Sequence, residues 1–449
     1  MEAASFSLSW FVMLLLLGCG IRLTLHTGFF QLRGLPFILR NTVGTLLSRD
    51  PAPDKKGISP FQAMTTALAG TMGVGNIAGV ATALVAGGPG AIFWMWVSAF
   101  FGMATKYAEI LLAVRFRVTG EDGSYRGGPM YYIQRGLRAP GLAAVFSVLC
   151  ALCALGIGNM AQVNAVSTAM DTAFGVPAWA SGSAVAALVC LVVFGGVRRI
   201  ARVTELVIPM VSILYLFGAG AFLWLHREGL ADAFGLILRE AFALRPMVGG
   251  AAGFGITRAM RYGLSRGVFT NEAGLGSAPI AHAAADCKSP RHQAVWGIFE
   301  VFLDTIVVCT ITALVLLCAH GGRLWWNSGL DGAALTAAAF QSVFGMAGAR
   351  FIAVSIFFFA VAAMLGWCYY GECAVGYLTG GARCARDLYR LLFVLCILPG
   401  AMGDLTVVWA VSDSLNALMA LPNIVALFAL RGLVGTKDPG RSMAETAPV

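Results

Sequence analysis

The stretch "GTMGVGNIAGV", residues 70 to 80, sets Gly70, Gly73, Gly75, Asn76 and Gly79 inside an otherwise apolar run. A second stretch, "FTNEAGLGSAPIAHA" at 269 to 283, carries Asn271, Gly274, Gly276, Ser277 and Pro279 between apolar arms. Each interior glycine costs a helix about 1 kcal/mol relative to alanine, and an unpaired backbone group facing lipid costs more. Both runs therefore have to line a space enclosed by protein. There an interrupted helix offers freed N–H groups to an anion and freed carbonyls to a cation, a combination suited to a zwitterion travelling with a metal ion. Glycines that only let helices pack closely would give a similar composition. Two breaks at corresponding places favour transport.

The surrounding elements are built for a bilayer. Of 449 residues, 58% are hydrophobic and only 12% charged. At about 20 apolar residues per crossing, the candidate spans are roughly 5–22, 60–86, 90–114, 141–172, 179–196, 204–225, 250–285, 292–318, 350–379, 388–402 and 406–430. This is an all-α polytopic membrane protein with about 11 transmembrane helices. The first break opens a group of five spans within 59–225, and the second opens five more within 250–430. An odd number of crossings per half turns the second half upside down, which is the inverted-repeat plan of secondary transporters with a site at the midplane. The remaining parts are an N-terminal helix and basic loop (1–58), an external connection (226–249) and a tail (431–449). The first span begins on Glu2 and lacks a small-residue cleavage site, so it reads as a retained helix.

Orientation follows from the 31 Lys and Arg, since basic loops stay inside. Loops 22–58, 115–138, 198–202, 286–291 and 383–390 and the tail hold most of them, whereas the opposite loops hold only Arg227, Arg239, Arg245, Arg323 and Arg350. The N-terminus is therefore expected outside a cell membrane and the C-terminus in the cytoplasm. The formal charge of +9 is dispersed over short loops instead of gathered into a stripe, which argues against nucleic acid. The eleven cysteines lie mostly in apolar spans, and Cys150 and Cys153 lack the further ligands a metal would need. No G-x-S-x-G or H-E-x-x-H motif supports an enzyme. His282, the one histidine near a break, reads as packing.

Longer blocks carry a resemblance. "GGPGAIFWMWVSAFFGMATKYAE" (87–109), "GGPMYYI" (127–133), "GIGNMAQVNAV" (156–166), "GVFTNEAGLGSAPIA" (267–281), "FLDTIVVCTIT" (302–312) and "GWCYYGE" (366–372) closely resemble the alanine or glycine:cation symporter family over roughly 60 to 425. The resemblance implies sodium-coupled uptake of small neutral amino acids such as alanine or glycine, on a LeuT-type 5+5 fold with one extra N-terminal helix; the chain is expected to act as a monomer. Proton coupling, or a non-transporting sensor of the same fold, is the alternative.

The resemblance places Gln162 at a substrate-contacting glutamine of the third core helix, where an amide meets carboxylate or ammonium without adding charge. An interhelical hydrogen bond is the rival role. Asn76 and Asn271 are expected at substrate and ion, with capping of the half-helices as the alternative. Thr71, Gly73, Gly75 and Gly274 would offer backbone groups to the same cavity. Trp367 would close the side-chain pocket and limit substrate size, unless it serves packing or anchoring at the membrane interface. The pattern also departs from the family: where hydroxyl residues commonly meet sodium on the eighth core helix, this chain has Ala362 and Ala363. The sodium shell would then rest on backbone oxygens there and near Thr71, Met72 and Val74. Among the acids, Lys106 and Glu109 are expected to pair, Glu272 to bond exposed backbone with Arg266 nearby, and Asp304 and Glu372 are unassigned.

The charge pattern sets a topology test. A cysteine introduced at position 123 should be labelled only from the cytoplasmic side and one near 328 only from outside; the reverse pattern would overturn both the orientation and the inversion.

Overall fold

The computed structural model describes residues 2–46, 57–120, 123–243, 254–319, 328–403 and 406–435. The chain is almost wholly helical, apart from one small hairpin pairing Val118–Thr119 with Tyr125–Arg126.

The helices are α1 (Glu2–His26), the short α2 (Phe30–Arg33), α3 (Leu35–Asn41) and α4 (Val43–Leu46), then α5 (Pro60–Thr71), α6 (Ala78–Gly87), α7 (Gly90–Arg115), α8 (Pro129–Gly136), α9 (Pro140–Leu155), α10 (Ala161–Phe174), α11 (Ala178–Val193), α12 (Gly196–Leu225) and α13 (Leu230–Ala241). They continue as α14 (Phe254–Asn271), α15 (Ala278–Ala283), α16 (Pro290–Val301), α17 (Thr310–Cys318), α18 (Gly332–Phe344), α19 (Met346–Leu378), α20 (Arg383–Leu395), α21 (Ile397–Met402) and α22 (Thr406–Leu430). Wider π-helical turns, Gly156–Met160 and Phe302–Cys309, join α9 to α10 and α16 to α17 without interrupting either rod. Among the described residues, six helices are long and apolar enough to cross a membrane: Gly90–Arg115, Pro140–Phe174, Gly196–Leu225, Pro290–Cys318, Met346–Leu378 and Ser414–Leu433.

Both glycine-rich runs are breaks between two half-helices. The first arm, α5, starts where its sequence dictates: Ser59 Oγ accepts the Gln62 N–H, Gln62 Oε1 accepts the Ser59 N–H, each at 3.0 Å, and Pro60 follows the cap. The helix stops at Thr71, a single tight turn holds Val74–Asn76, and α6 resumes at Ala78. The second break, between Asn271 and Ala278, is reached through Glu272, Gly274 and Gly276, all at positive φ. Gly274, at φ +91°, adopts a conformation open to few other residues. The arms pack crosswise, α5 on α15 and α6 on α14.

The order of elements repeats. A broken helix, a long rod, a short helix and three further helical rods run from α5 to α12, and the same series runs from α14 to α22, with α8 and α18 as the short helices. Several short helices were not anticipated: α2, α3 and α4 fall in the loop expected over 22–58, α8 in that over 115–138, α13 in the expected external connection, and α18 in a stretch expected to be loop. Each is shorter than a membrane crossing, so none offers the long apolar run that marks the spans.

The expected Lys106–Glu109 pair does not form. Lys106 Nζ stands 3.2 Å from Glu300 Oε1 on α16, both side chains buried, while Glu109 accepts hydrogen bonds from the Gly274 N–H at 3.1 Å and Asn423 Nδ2 at 2.5 Å. The two positions are one helical turn apart, and Glu109 is taken by the second break, leaving the lysine to the facing helix. Glu272 likewise accepts from the Ser277 hydroxyl at 2.5 Å, not from exposed backbone, and Arg266 lies over the Phe269 ring. Glu372 is held by Arg390, its two oxygens at 2.9 and 2.6 Å from the guanidinium, with Arg386 beside it.

Removing one member of a buried ion pair leaves an uncompensated charge. Lys106→Met should cost about 3–5 kcal/mol, seen as a lower midpoint in thermal unfolding, and Lys106→Met with Glu300→Leu should recover much of the loss.

Candidate functional site

The first break is held by side chains from two other helices. Gln162, the second residue of α10, accepts the Val74 N–H on Oε1 at 3.3 Å and donates through Nε2 to the Ile157 carbonyl of the preceding π turn at 3.2 Å. Trp367 of α19 donates through Nε1 to the Gly70 carbonyl at 3.3 Å, and the adjacent Tyr370 hydroxyl reaches the Ala67 carbonyl at 3.4 Å. Gly73 lies where these helices converge. A Cβ there would stand 3.0 Å from Gln162 Oε1 and 3.3 Å from the Ala363 methyl, so the approach depends on the absent side chain.

The carbonyls at the end of α5 are unevenly used. Leu68 receives the Met72 N–H, Gly70 the Trp367 indole, Thr71 the Gly73 N–H and Val74 the Ile77 N–H. Among the described residues, no donor from outside the regular helical ladder reaches the carbonyls of Ala69 and Met72. Both residues are buried. Ala363 packs against Gly73 at this point, Ala362 is buried as well, and neither supplies a hydroxyl. Among the described residues no group of three or more His, Cys, Asp and Glu stands together as a metal site.

The two breaks are bridged through the π segment of α16–α17. Asn76 Nδ2 donates to Asp304 Oδ1 at 2.7 Å and to the Asp304 carbonyl at 3.2 Å, the Thr305 hydroxyl donates to Asp304 Oδ2 at 2.8 Å, and Asn271 Nδ2 reaches Thr305 Oγ1 at 3.3 Å. Asn76 thus spends its amide N–H groups on Asp304 and keeps a buried Oδ1 with no partner. Asn271 caps its own break, its Oδ1 accepting the Ala273 N–H at 3.0 Å. Gly75 faces Phe269 and Thr270 of α14, closing the gap between the breaks from the other side.

The expected site residues therefore fall into groups. Thr71, Met72, Gly73, Val74, Gln162, Ala363 and Trp367 gather around the first break, and Asn76 and Asn271 join it through Asp304 and Thr305. Gly274 is turned elsewhere, its N–H to Glu109 and its carbonyl to Asn423, against Leu16 of α1. The sequence reading left Asp304 unassigned and passed over Thr305, Ala69 and Tyr370. An acid inside the apolar run "FLDTIVVCTIT" was the signal for the first; nothing in the sequence marks which carbonyl of a broken helix stays unpaired.

The sequence model of the sodium:alanine symporter family matches residues 1–437. A sodium/alanine symporter of Methanococcus maripaludis is 45% identical over 433 residues, covering 94% of this chain and 92% of that protein. An uncharacterised transporter of Haemophilus influenzae is 44% identical over 95% of this chain and 92% of its own length. A crystal structure of a manganese transporter from Eremococcus coleocola, in complex with an aromatic bis-isothiourea substituted compound, aligns with a TM-score of 0.51 over 85% of this chain and 80% of that chain at 13% identity, a likeness of fold.

The geometry sets a binding test. Gln162→Ala should lower amino-acid affinity by about 1–3 kcal/mol, the range for a hydrogen bond to a charged partner, measured by calorimetry. An equal loss of thermal stability without ligand would assign Gln162 to packing instead.

Proposed function

The chain belongs to the sodium:alanine symporter family, and from that premise we propose that it couples sodium entry to the uptake of small neutral amino acids, alanine or glycine, across the cell membrane. It is a multi-pass membrane protein that performs cation-coupled amino-acid symport, not an enzyme. The ion, the substrate within its class and the site residues are the proposal.

The repeated order of elements and the crossed packing of α5 with α15 and α6 with α14 support a LeuT-type 5+5 core over 59–225 and 250–430, with α1 as the extra helix. Read with the basic loops, this puts the N-terminus outside and the C-terminus in the cytoplasm.

One observation carries the site: the first break leaves the buried Ala69 and Met72 carbonyls without donors from outside the helical ladder, next to an amide and an indole borrowed from other helices. The carbonyls are ligands for the cation. The amide of Gln162 and the backbone of Gly73, Gly75 and Thr71 receive the zwitterion, while Asn76 and Asn271 hold the break in register through Asp304 and Thr305. Trp367 stands over Gly70 as the wall that limits side-chain size. A single methylene in such a pocket discriminates by about 10 to 200-fold, so alanine and glycine compete.

Ala362 and Ala363 withhold two hydroxyl ligands, so sodium activates uptake only at high concentration. In proteoliposomes, Ala362→Ser with Ala363→Thr should lower the sodium concentration for half-maximal uptake. Uptake driven by a proton gradient without sodium, and unchanged by that double substitution, would refute the sodium assignment.

A further inference from the structure

The end of α15 and the start of α5 are tied by a small knot of backbone. The Ile58 N–H donates to the Ala284 carbonyl at 3.1 Å and the Asp286 N–H to the Ile58 carbonyl at 2.8 Å. Arg117, just past α7, donates to the carbonyls of Ala283, at 3.4 Å, and Ala285. These bonds clamp together one arm from each broken helix. Arms of this kind separate when a cavity between them opens to one side of a membrane.

Directly behind the clamp lies a buried polar chain. Gln293 Nε2 stands 3.3 Å from the Pro60 carbonyl and 2.8 Å from His282 Nδ1, His282 Nε2 is 3.0 Å from Glu300 Oε2, and Glu300 Oε1 faces Lys106 Nζ at 3.2 Å. The chemistry of the partners sets every proton. A carbonyl can only accept, so the Gln293 group facing Pro60 is its NH2. The second hydrogen of that NH2 points at His282 Nδ1, which must then be a bare acceptor. The ring therefore carries its proton on Nε2, donates to the Glu300 carboxylate, and is neutral.

A second proton has no place in this arrangement. On Nδ1 it would meet the Gln293 NH2, and turning the amide to present its unpartnered Oε1 would set that oxygen against the Pro60 carbonyl. Charge balance opposes it as well, because Glu300 already answers Lys106, and two cations sharing one buried carboxylate are costly. The titratable groups on the elements packed around α15 give no second acceptor. Glu109 of α7 is engaged by Gly274 and Asn423, Glu272 of the second break is engaged by Ser277, and Tyr370 of α19 points to Ala67. Arg117 beyond α7 and Arg126 of the hairpin are themselves cations, the first stacked on Tyr125, and α5 carries no titratable side chain.

We propose that His282 is a proton-binding site linked to this clamp: the neutral imidazole holds Pro60 through Gln293 and keeps α5 and α15 together, and protonation releases Gln293 and favours their separation. The sign follows from linkage. The closed clamp excludes the second proton and the opened one admits water and the proton, so closure is complete at neutral and alkaline pH and is lost on acidification. The site governs gating and is separate from the coupling ion.

Cys287, half-buried beside Arg117 at the clamp, is a native reporter, and the exposed Cys384 is an internal reference. The purified protein in nanodiscs is treated with a dithiodipyridine reagent, which stays reactive in acid, and labelling of each cysteine is resolved by peptide mass spectrometry. The Cys287 to Cys384 ratio should rise about ten-fold from about pH 7.5 to about pH 5.5, the range in which imidazole changes charge. In His282→Gln the ratio should stay low at both values. In Gln293→Glu, which gives the imidazolium an acceptor and Pro60 no donor, it should be high already at about pH 7.5. A wild-type ratio indifferent to pH, a His282→Gln ratio that follows the wild type, or a Gln293→Glu ratio that stays low overturns the proposal. Labelling needs no transport, so a failed sodium assignment leaves this result standing.

Discussion

Inside a bilayer there is no water to take up a backbone group that a helix has released, so each break must be closed by groups from elsewhere in the protein. This constraint organises the molecule. The first break is closed by Gln162 from α10 and Trp367 from α19, and the second by Glu109 from α7 and Asn423 from α22. Four helices distant in sequence are thereby tied to two short stretches of irregular backbone. Tyr132 of α8 extends the second tie by donating to Asn423, so even a short helix outside the main rods is bound to it.

The two breaks are closed to different degrees. At the second, the peptide of Gly274 is bonded at both ends, and Asn271 and Ser277 turn inward on the loop itself. At the first, two carbonyls remain without donors from outside the helical ladder, and the Asn76 side-chain oxygen without any, despite deep burial. Unsatisfied buried acceptors are costly. Their concentration at the first break, against the fully engaged second, is what the proposed cation site rests on, although the two stretches have similar glycine-rich composition. The surrounding acids fit that division, since Glu109, Glu272, Glu300 and Glu372 each have a dedicated donor or cation.

Much of this was legible in the sequence. The long rods follow from apolar runs, and the breaks from glycines that no lipid-facing helix would tolerate, so 60–86 and 250–285 resolve into paired half-helices near their expected centres. What escaped detection lay in competition between partners. Helical spacing offered Glu109 to Lys106, but the peptide of Gly274, remote in sequence, claims that carboxylate and leaves the lysine to Glu300. The same limit applies to Asn76, whose amide is consumed by Asp304, and to His282, which looked like filling beside alanines until Gln293 and Glu300 were brought to its two nitrogens. Helices α13 and α18 escaped because neither is long enough to span the membrane, which is the feature the apolar ruler measures.

The π-helical turns have a mechanical meaning of their own. In such a turn the hydrogen bonds reach one residue further than in an α-helix, so the rod accommodates a surplus residue without a fracture. Both turns lie where a side chain bonds to a carbonyl of the widened segment, Gln162 to Ile157 and Asn76 to Asp304. A surplus residue of this kind can be passed along a helix like a dislocation through a crystal. Passing it across Asp304 would swing that carboxylate by roughly 100°, one residue's rotation in a helix of 3.6 residues per turn, while both ends of the rod stay anchored. The widened turn thus holds Asp304 against Asn76 of the first break while the α16–α17 rod runs on unbroken.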